Sequence, residues 1–404
     1  MNTLKFGNGE WYGKKDTILA YNDENSNFKP LPFSFDRDTL ATRVNKDGLI
    51  ETVGSGEPRI DYKDDSKGAL LLEPSRSNLI EYSNLKSGWA LLSGGSIAYD
   101  QTISPDGTQN ASVLSGDGVN GNSIYDFVIL STQTYIFSVF AKQKDASIIS
   151  LKGFSGGAAG TSKFNLSNGT IDTVSAGQFS DEKIEDYGNG WYRCSVKITA
   201  TSSGSKTLGF GGENSDSGEL FSLYGAQVEV GSYPTSYIPT QGGSVTRVAE
   251  VVNNTNSLMS GLTDMAMFVD YQLPNGNSSG FRNQLGFRDN QNANFYMIQF
   301  PNSNTHEFRY TGVSGVNIDM TPSISEQDFG LRRKLLYTKT GTTLKVFCNG
   351  VEVSTVTNAS ATTFSTTPER LNAGDNYDFD MDIKEWKLYN NGFTDQEAIA
   401  LTTI

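Results

Sequence analysis

The chain has one histidine and two cysteines in 404 residues. A single histidine excludes a two-histidine zinc site within one chain. It also leaves any Ser-His-Asp or Cys-His device dependent on His306. Cys194 and Cys348 stand far apart, outside any metal-ligand spacing, and each falls in an alternating run. Two buried free thiols are expected, which suits assembly in a reducing cytoplasm. No stretch approaches 18 consecutive apolar residues, so no membrane-spanning helix is expected. The opening MNTLKFGNG lacks the apolar core of a secretory signal.

Positive charge is also in deficit. There are 32 Lys and Arg against 45 Asp and Glu, giving a formal net charge of −13. Such a chain is a poor bulk partner for nucleic acid or an anionic membrane, and neither nucleic-acid binding nor membrane insertion is expected. The basic run Arg332-Arg333-Lys334 is short and reads as a solvated strand face. Heptads, long amphipathic helices and clean repeats are all missing. If the protein forms a homo-oligomer (a trimer is favoured), sheet faces or another chain must hold it together.

What is present is turn formers and aromatics. Gly numbers 42, Phe 23 and Tyr 18, with abundant Ser, Thr and Asn. That mixture suits many short strands joined by turns. The fold class expected is all-β: two antiparallel β-sandwiches, a jelly roll and a concanavalin A-like body, preceded by an extended N-terminal segment. Residues 1–80 read as a leader or attachment segment with one hairpin, ATRVNKDGLIETV at 41–53, turning at Asp47-Gly48. Residues 81–247 read as the first sandwich, from the period-two runs YIFSVFAK at 135–142, WYRCSVKI at 191–198 and LFSLYGAQVE at 220–229. A proline-stiffened stretch at 232–244 leaves it. Residues 248–404 read as the second sandwich, with a tight turn at Asn349-Gly350 and one terminal helix. Thr394 and Glu397 form that helix's capping box, and Ala398, Ile399 and Leu401 its apolar face.

Several pieces in order carry a resemblance. These are residues 41–53, PRIDY at 58–62, GALLLEPSRSNLI at 68–80, Trp89, SPDG at 104–107, GWYR at 190–193, YGAQVE at 224–229, PTSYIP at 234–239 and VTR at 245–247. Together they resemble the leader and middle module of a large group of bacteriophage tail and fibre proteins, whose modules look like jelly-roll carbohydrate-binding domains. KLLY at 334–337, LKVFCNG at 344–350, residues 383–389 and TDQEAIAL at 394–401 are similar to concanavalin A-like and laminin-G-like sandwiches. The resemblance implies a virion structural protein, of tail or head fibre or receptor-binding type, assembled in the host bacterial cytoplasm. Its implied partners are host cell-surface polysaccharide and other virion proteins. A virion-borne polysaccharide depolymerase and a purely structural decoration or fibre-anchor protein are the alternatives.

Sugar binding needs aromatic faces for C–H surfaces and fixed polar groups for hydroxyls. The third region supplies both, and the candidate glycan contacts are Tyr296, His306, Arg309, Tyr310, Asp375 and Asn376. The sequence DFDMDIKE at 378–385 places Asp378, Asp380 and Asp382 on one strand face if it is a strand. A solvated acidic face is expected there. A calcium-type oxygen site and a glycosidase carboxylate pair are the alternatives. Glu385 has opposite parity unless a bulge intervenes, and the shift of apolar parity from Ile383 to Trp386 points to such a bulge. No catalytic residue is assigned, and no cofactor is expected beyond structural calcium. Trp89 and Trp191 read as packing residues. Asp181, Glu182, Glu185 and Asp186 read as a surface strand edge or loop. The glycine-rich pieces at 153–160 and 209–212 lack the lysine and helix of a phosphate cradle.

Overall fold

A computed structural model describes residues 35–92, 94–119, 122–154, 156–251, 263–272, 330–357, 381–387, 389 and 391–404, together with the backbone of strands within 3–34, 252–254, 284–320, 370–372 and at 388. The chain is all-β, with antiparallel pairing throughout these strands and one helix among the described residues. It divides into two compact units. The first comprises residues 1–40, 53–75 and 248–404, and the second 41–52 and 76–247. The segment 1–80 is therefore shared out between the two bodies.

The second unit is a sandwich of two six-stranded sheets. One runs in the order Ala90–Leu91, Ser123–Leu130, Gly204–Gly211, Ile148–Gly153, Gly160–Asn165, Thr170–Thr173. The other runs Gly95–Ile103, Gln109–Asp117, Ser217–Val230, Thr134–Gln143, Trp191–Thr199, Phe179–Asp186. Period-two alternation sends one parity of each strand inward. Phe137, Val139, Cys194 and Val196 from one sheet meet Ile124, Val128, Leu208 and Phe210 from the other. Phe137 stacks on Phe210 across the gap, with centroids 6.1 Å apart. Trp89 packs on the same core, 5.0 Å from Phe210, and its Nε1–H donates to Tyr82 O. Cys194 is a buried free thiol whose ionisation burial strongly opposes. The acidic strand Phe179–Asp186 lies at a sheet edge.

The outer face of the second sheet is buried too. Phe140, Trp191, Tyr224 and Tyr237 form a separate aromatic core with Val44 and Ile50 of the hairpin. That hairpin turns as a five-residue loop, in which Gly48 takes positive φ and Asp47 does not. Asn45 Oδ1 accepts from the Asp47 and Leu49 amides. The proline-rich stretch is clamped over this face. Glu229 accepts from the Thr235 amide and hydroxyl, at 2.8 and 2.6 Å. Arg193 donates to Thr235 O and to Ser138 Oγ. Asp106, in the SPDG turn, accepts from Tyr224 Oη at 2.9 Å.

In the first unit an eight-stranded sheet runs Val351–Val356, Thr343–Cys348, Arg332–Thr340, Met265–Gln272, Met381–Tyr389, Ala69–Leu72, Ile60–Asp61, with Thr3–Gly7 also paired to Met381–Tyr389. A seven-stranded sheet carries Asn317–Met320, Glu307–Thr311, Tyr296–Gln299, Gln284–Phe287, Arg370–Asn372, Val251–Asn254 and Phe33–Asp36. Asn349 and Gly350 both take positive φ, as their hairpin turn requires. Helix Asp395–Thr402 carries the full Thr394–Glu397 capping box. Ala398 packs beside Phe268, Leu336 and Phe347, with Leu401 against the cluster. Ile399 departs from the expected apolar face and is exposed. Arg333 departs from the expected solvated face. It is buried, with Nη1 3.7 Å from Cys348 Sγ, while Arg332 pairs with Asp270.

Candidate functional site

The residues singled out from sequence fall largely in the least described part of the chain. Tyr296 and Tyr310 are direct cross-strand partners, and Arg309 is opposite Met297. Backbone register thus brings the tyrosines together, but their side chains lie outside the described residues. His306, Asp375, Asn376, Asp378 and Asp380 also lie outside them.

Asp382 is described, and it is not on a solvated face. Asp270 pairs with Glu385 and Tyr271 with Ile383, so the extra residue Lys384 makes the bulge that the parity shift implied. Met381, Ile383 and Trp386 are buried, and so is Asp382. Burial, together with the charges of Asp61, Asp64 and Glu73 and against that of Lys63, pushes the Asp382 carboxyl well above its ordinary range. The folded state therefore holds this proton more tightly than the unfolded state. The contribution is fully favourable below the unfolded carboxyl pKa and is lost as pH rises through the folded one. Asp382→Asn is expected to raise stability at about pH 8 and to leave it unchanged near pH 3. The gap should grow by ~1.4 kcal/mol per pH unit between the two pKa values. Urea melts of both proteins across that range measure it. A variant no more stable at high pH would contradict the burial assigned to this carboxyl. Among the described residues no cluster of His, Cys, Asp and Glu has metal-binding geometry.

The described surface offers a different site. It lies on the outer face of the sheet that contains Ser123–Leu130. Along that strand Ile124, Val128 and Leu130 enter the core, so Tyr125, Phe127 and Ile129 face out. Phe127 is 62% exposed and Ile129 79%. Tyr125 stands edge-on to Phe127, centroids 5.6 Å apart, and to Phe154, 6.2 Å away. Register sets the rest of the face. Tyr125 and Lys152 both pair with Gly209, placing ring, glycine and ammonium in one row. The next row holds Ser123, Gly211, Ser150 and Lys163. A Cβ at Gly209 would lie 2.3 Å from Ile124 O, and one at Gly211 2.1 Å from Asn122 O. Only glycine allows this close approach, so the sheet face has a floor without side chains between aromatic and basic rims.

The basic rim is fixed by hydrogen bonds. Lys152 Nζ donates to Ser123 Oγ at 2.9 Å and to Gly212 O at 3.1 Å. Its burial, with the nearby Lys163 charge, lowers its pKa, while Glu213 and Asp216 oppose that shift. Lys163 is paired with Glu213, and that hydrogen bond raises its pKa. Exposed rings beside an oriented ammonium are chemistry that a sugar surface can use, while the Ser123 and Ser150 hydroxyls of the neighbouring row are buried. Sequence reasoning missed this strand: residues 123–130 are apolar at both parities, a pattern that does not separate a half-exposed strand from a core one.

No family model matches the chain, and no curated protein does. Among solved structures, the chain is similar to the carbohydrate-binding module (CBM40) of the Ruminococcus gnavus IT-sialidase bound to α2,3-sialyllactose. That match has 14% identity over 36% of this chain and 84% of the other, with a TM-score of 0.29. It is also similar to domain 4 of AbnA, an extracellular arabinanase from Geobacillus stearothermophilus, in complex with arabinotriose. There the identity is 17% over 43% and 82%, with a TM-score of 0.32. The tandem CBM22 domains of Paenibacillus barcinonensis Xyn10C match at 10% identity over 77% and 97%, with a TM-score of 0.26.

Proposed function

We propose that the protein is a structural component of a bacteriophage virion, of tail or head fibre type, whose second unit grips glycans of the bacterial surface. The observation that carries the glycan reading is the outer face of the Ser123–Leu130 sheet, with its exposed rings, glycine floor and hydrogen-bonded lysine. What supports the virion reading is the ordered set of motifs that resembles those of phage tail and fibre proteins. Many of those motifs lie inside the second unit, where Trp191, Arg193, Tyr224 and Glu229 are buried. Those buried residues read as scaffold rather than as contact face.

Binding without cleavage is part of the proposal. The chain has one histidine, and of the two described carboxylates of its acidic strand motif Asp382 is buried, while Glu385 is paired with Lys387. Each site would bind weakly. Several copies on one particle, as a homo-oligomer beside other virion proteins, would raise the effective concentration. The test is adsorption of the full chain to a panel of bacterial strains and to their mutants lacking surface polysaccharide. Adsorption is expected to vanish with the polysaccharide. Equal adsorption to stripped cells would overturn the reading.

A further inference from the structure

The geometry of this face also bears on which glycan it takes, an inference that rests on the glycan-binding reading above. The three rings are not coplanar. Tyr125 meets Phe127 at 90° and Phe154 at 64°. A flat crystalline array of sugar faces touches several rings at once only when the rings lie in one plane. Rings turned against one another instead suit a single soluble chain whose successive residues rotate.

The second feature is the charge on Lys152. An ammonium has three N–H donors. Two are spent on neutral acceptors, Ser123 Oγ and Gly212 O. Of the nearby carboxylates, Glu213 is engaged by Lys163 and Asp216 accepts from the Glu213 amide. Among the described residues none stands within ion-pair distance of Lys152, so one donor on a half-buried cation is left to a ligand. Its place is set by register, one glycine away from Tyr125 in the same row. A sugar stacked on Tyr125 therefore lays its neighbour or its substituent over Gly209 toward Nζ.

We propose that the face selects a single soluble chain of an acidic polysaccharide, with a sugar carboxylate received by Lys152 beside the Tyr125 ring. The net charge of −13 narrows the ligand further. Nucleic acid carries one charge per roughly 1.7 Å and would be repelled as a whole. A glycan with one carboxylate per repeat offers the local contact without that density.

The probes are purified bacterial capsular polysaccharides, each presented beside its own carboxyl-reduced form, against the full chain. Capsules that bind are expected to be acidic, and reduction should weaken each by about tenfold, the worth of one hydrogen bond to a charged group. Lys152→Gln should abolish that difference and Lys152→Arg should retain it in part. The reduced polysaccharides give the answer without any variant, should Lys152→Gln fail to fold. A capsule bound equally before and after reduction, while Phe127→Ala still weakens it, overturns the acidic preference and leaves the glycan reading standing. If no capsule binds, or if binding ignores Phe127→Ala, the face is not the glycan site and both inferences fall.

Discussion

Glu250→Gln is expected to cost the first unit about 3–5 kcal/mol, the usual penalty for stranding a buried charge. Glu250 joins three strands of chain that are distant in sequence. Its Oε1 lies 3.3 Å from Arg37 Nη1 and 2.6 Å from Arg59 Nη2. Its Oε2 accepts from the Glu73 amide at 2.9 Å. Arg59 also pairs with Glu73 at 2.6 Å, and all four side chains are at most 3% exposed. Two cations are thus balanced by two anions away from water, and burial is the largest influence on Arg59, opposed by both carboxylates. Removing one carboxylate leaves a net buried positive charge that solvent cannot screen. A typical stability is only about 5–15 kcal/mol, so the unit should melt far earlier in urea while the second unit's transition stays in place. Calorimetry or urea melts of the full chain resolve the two transitions. A loss under about 1 kcal/mol would mean that the network is open to water.

Much of this architecture could be read from sequence because it depends on local rules. Alternation in 135–142 and 191–198 gave the strand faces, and burial of Phe137, Val139, Cys194 and Val196 follows from parity alone. Thr394 with Glu397, and Asn349 with Gly350, are short-range devices that need no tertiary context. What escaped depended on partners far along the chain. Asp382 looks like a surface charge until residues 61–73, from far earlier in the chain, pack beside it. Arg37, Arg59, Glu73 and Glu250 look like surface charges until strands from both ends of the chain meet. Tyr125 and Phe127 posed the opposite problem. An apolar run with large side chains at both parities reads as core on both faces, and only the folded chain shows that Phe127 and Ile129 stand exposed among the described residues. Residues 104–107, 224–229 and 234–239 stood out as motifs, and their side chains hold an internal hydrogen-bond frame.

The second large effect is expected at the aromatic rim. Phe127 is mostly solvent-exposed and Tyr125 partly so. Truncating both should therefore change stability by about 0.5 kcal/mol or less for each, the range for surface sites. Their rings are also apolar area on this face that a sugar can cover. Anchoring aromatics at binding surfaces each contribute about 1–2 kcal/mol, so losing both should weaken binding roughly 30- to 900-fold. The direct measurement is calorimetric titration of soluble fragments of bacterial surface polysaccharide into the intact chain and into Tyr125→Ala/Phe127→Ala. The expected result is that large loss of affinity with an unaltered melting temperature. Undiminished affinity in the double variant would contradict it and would place the glycan on some other surface.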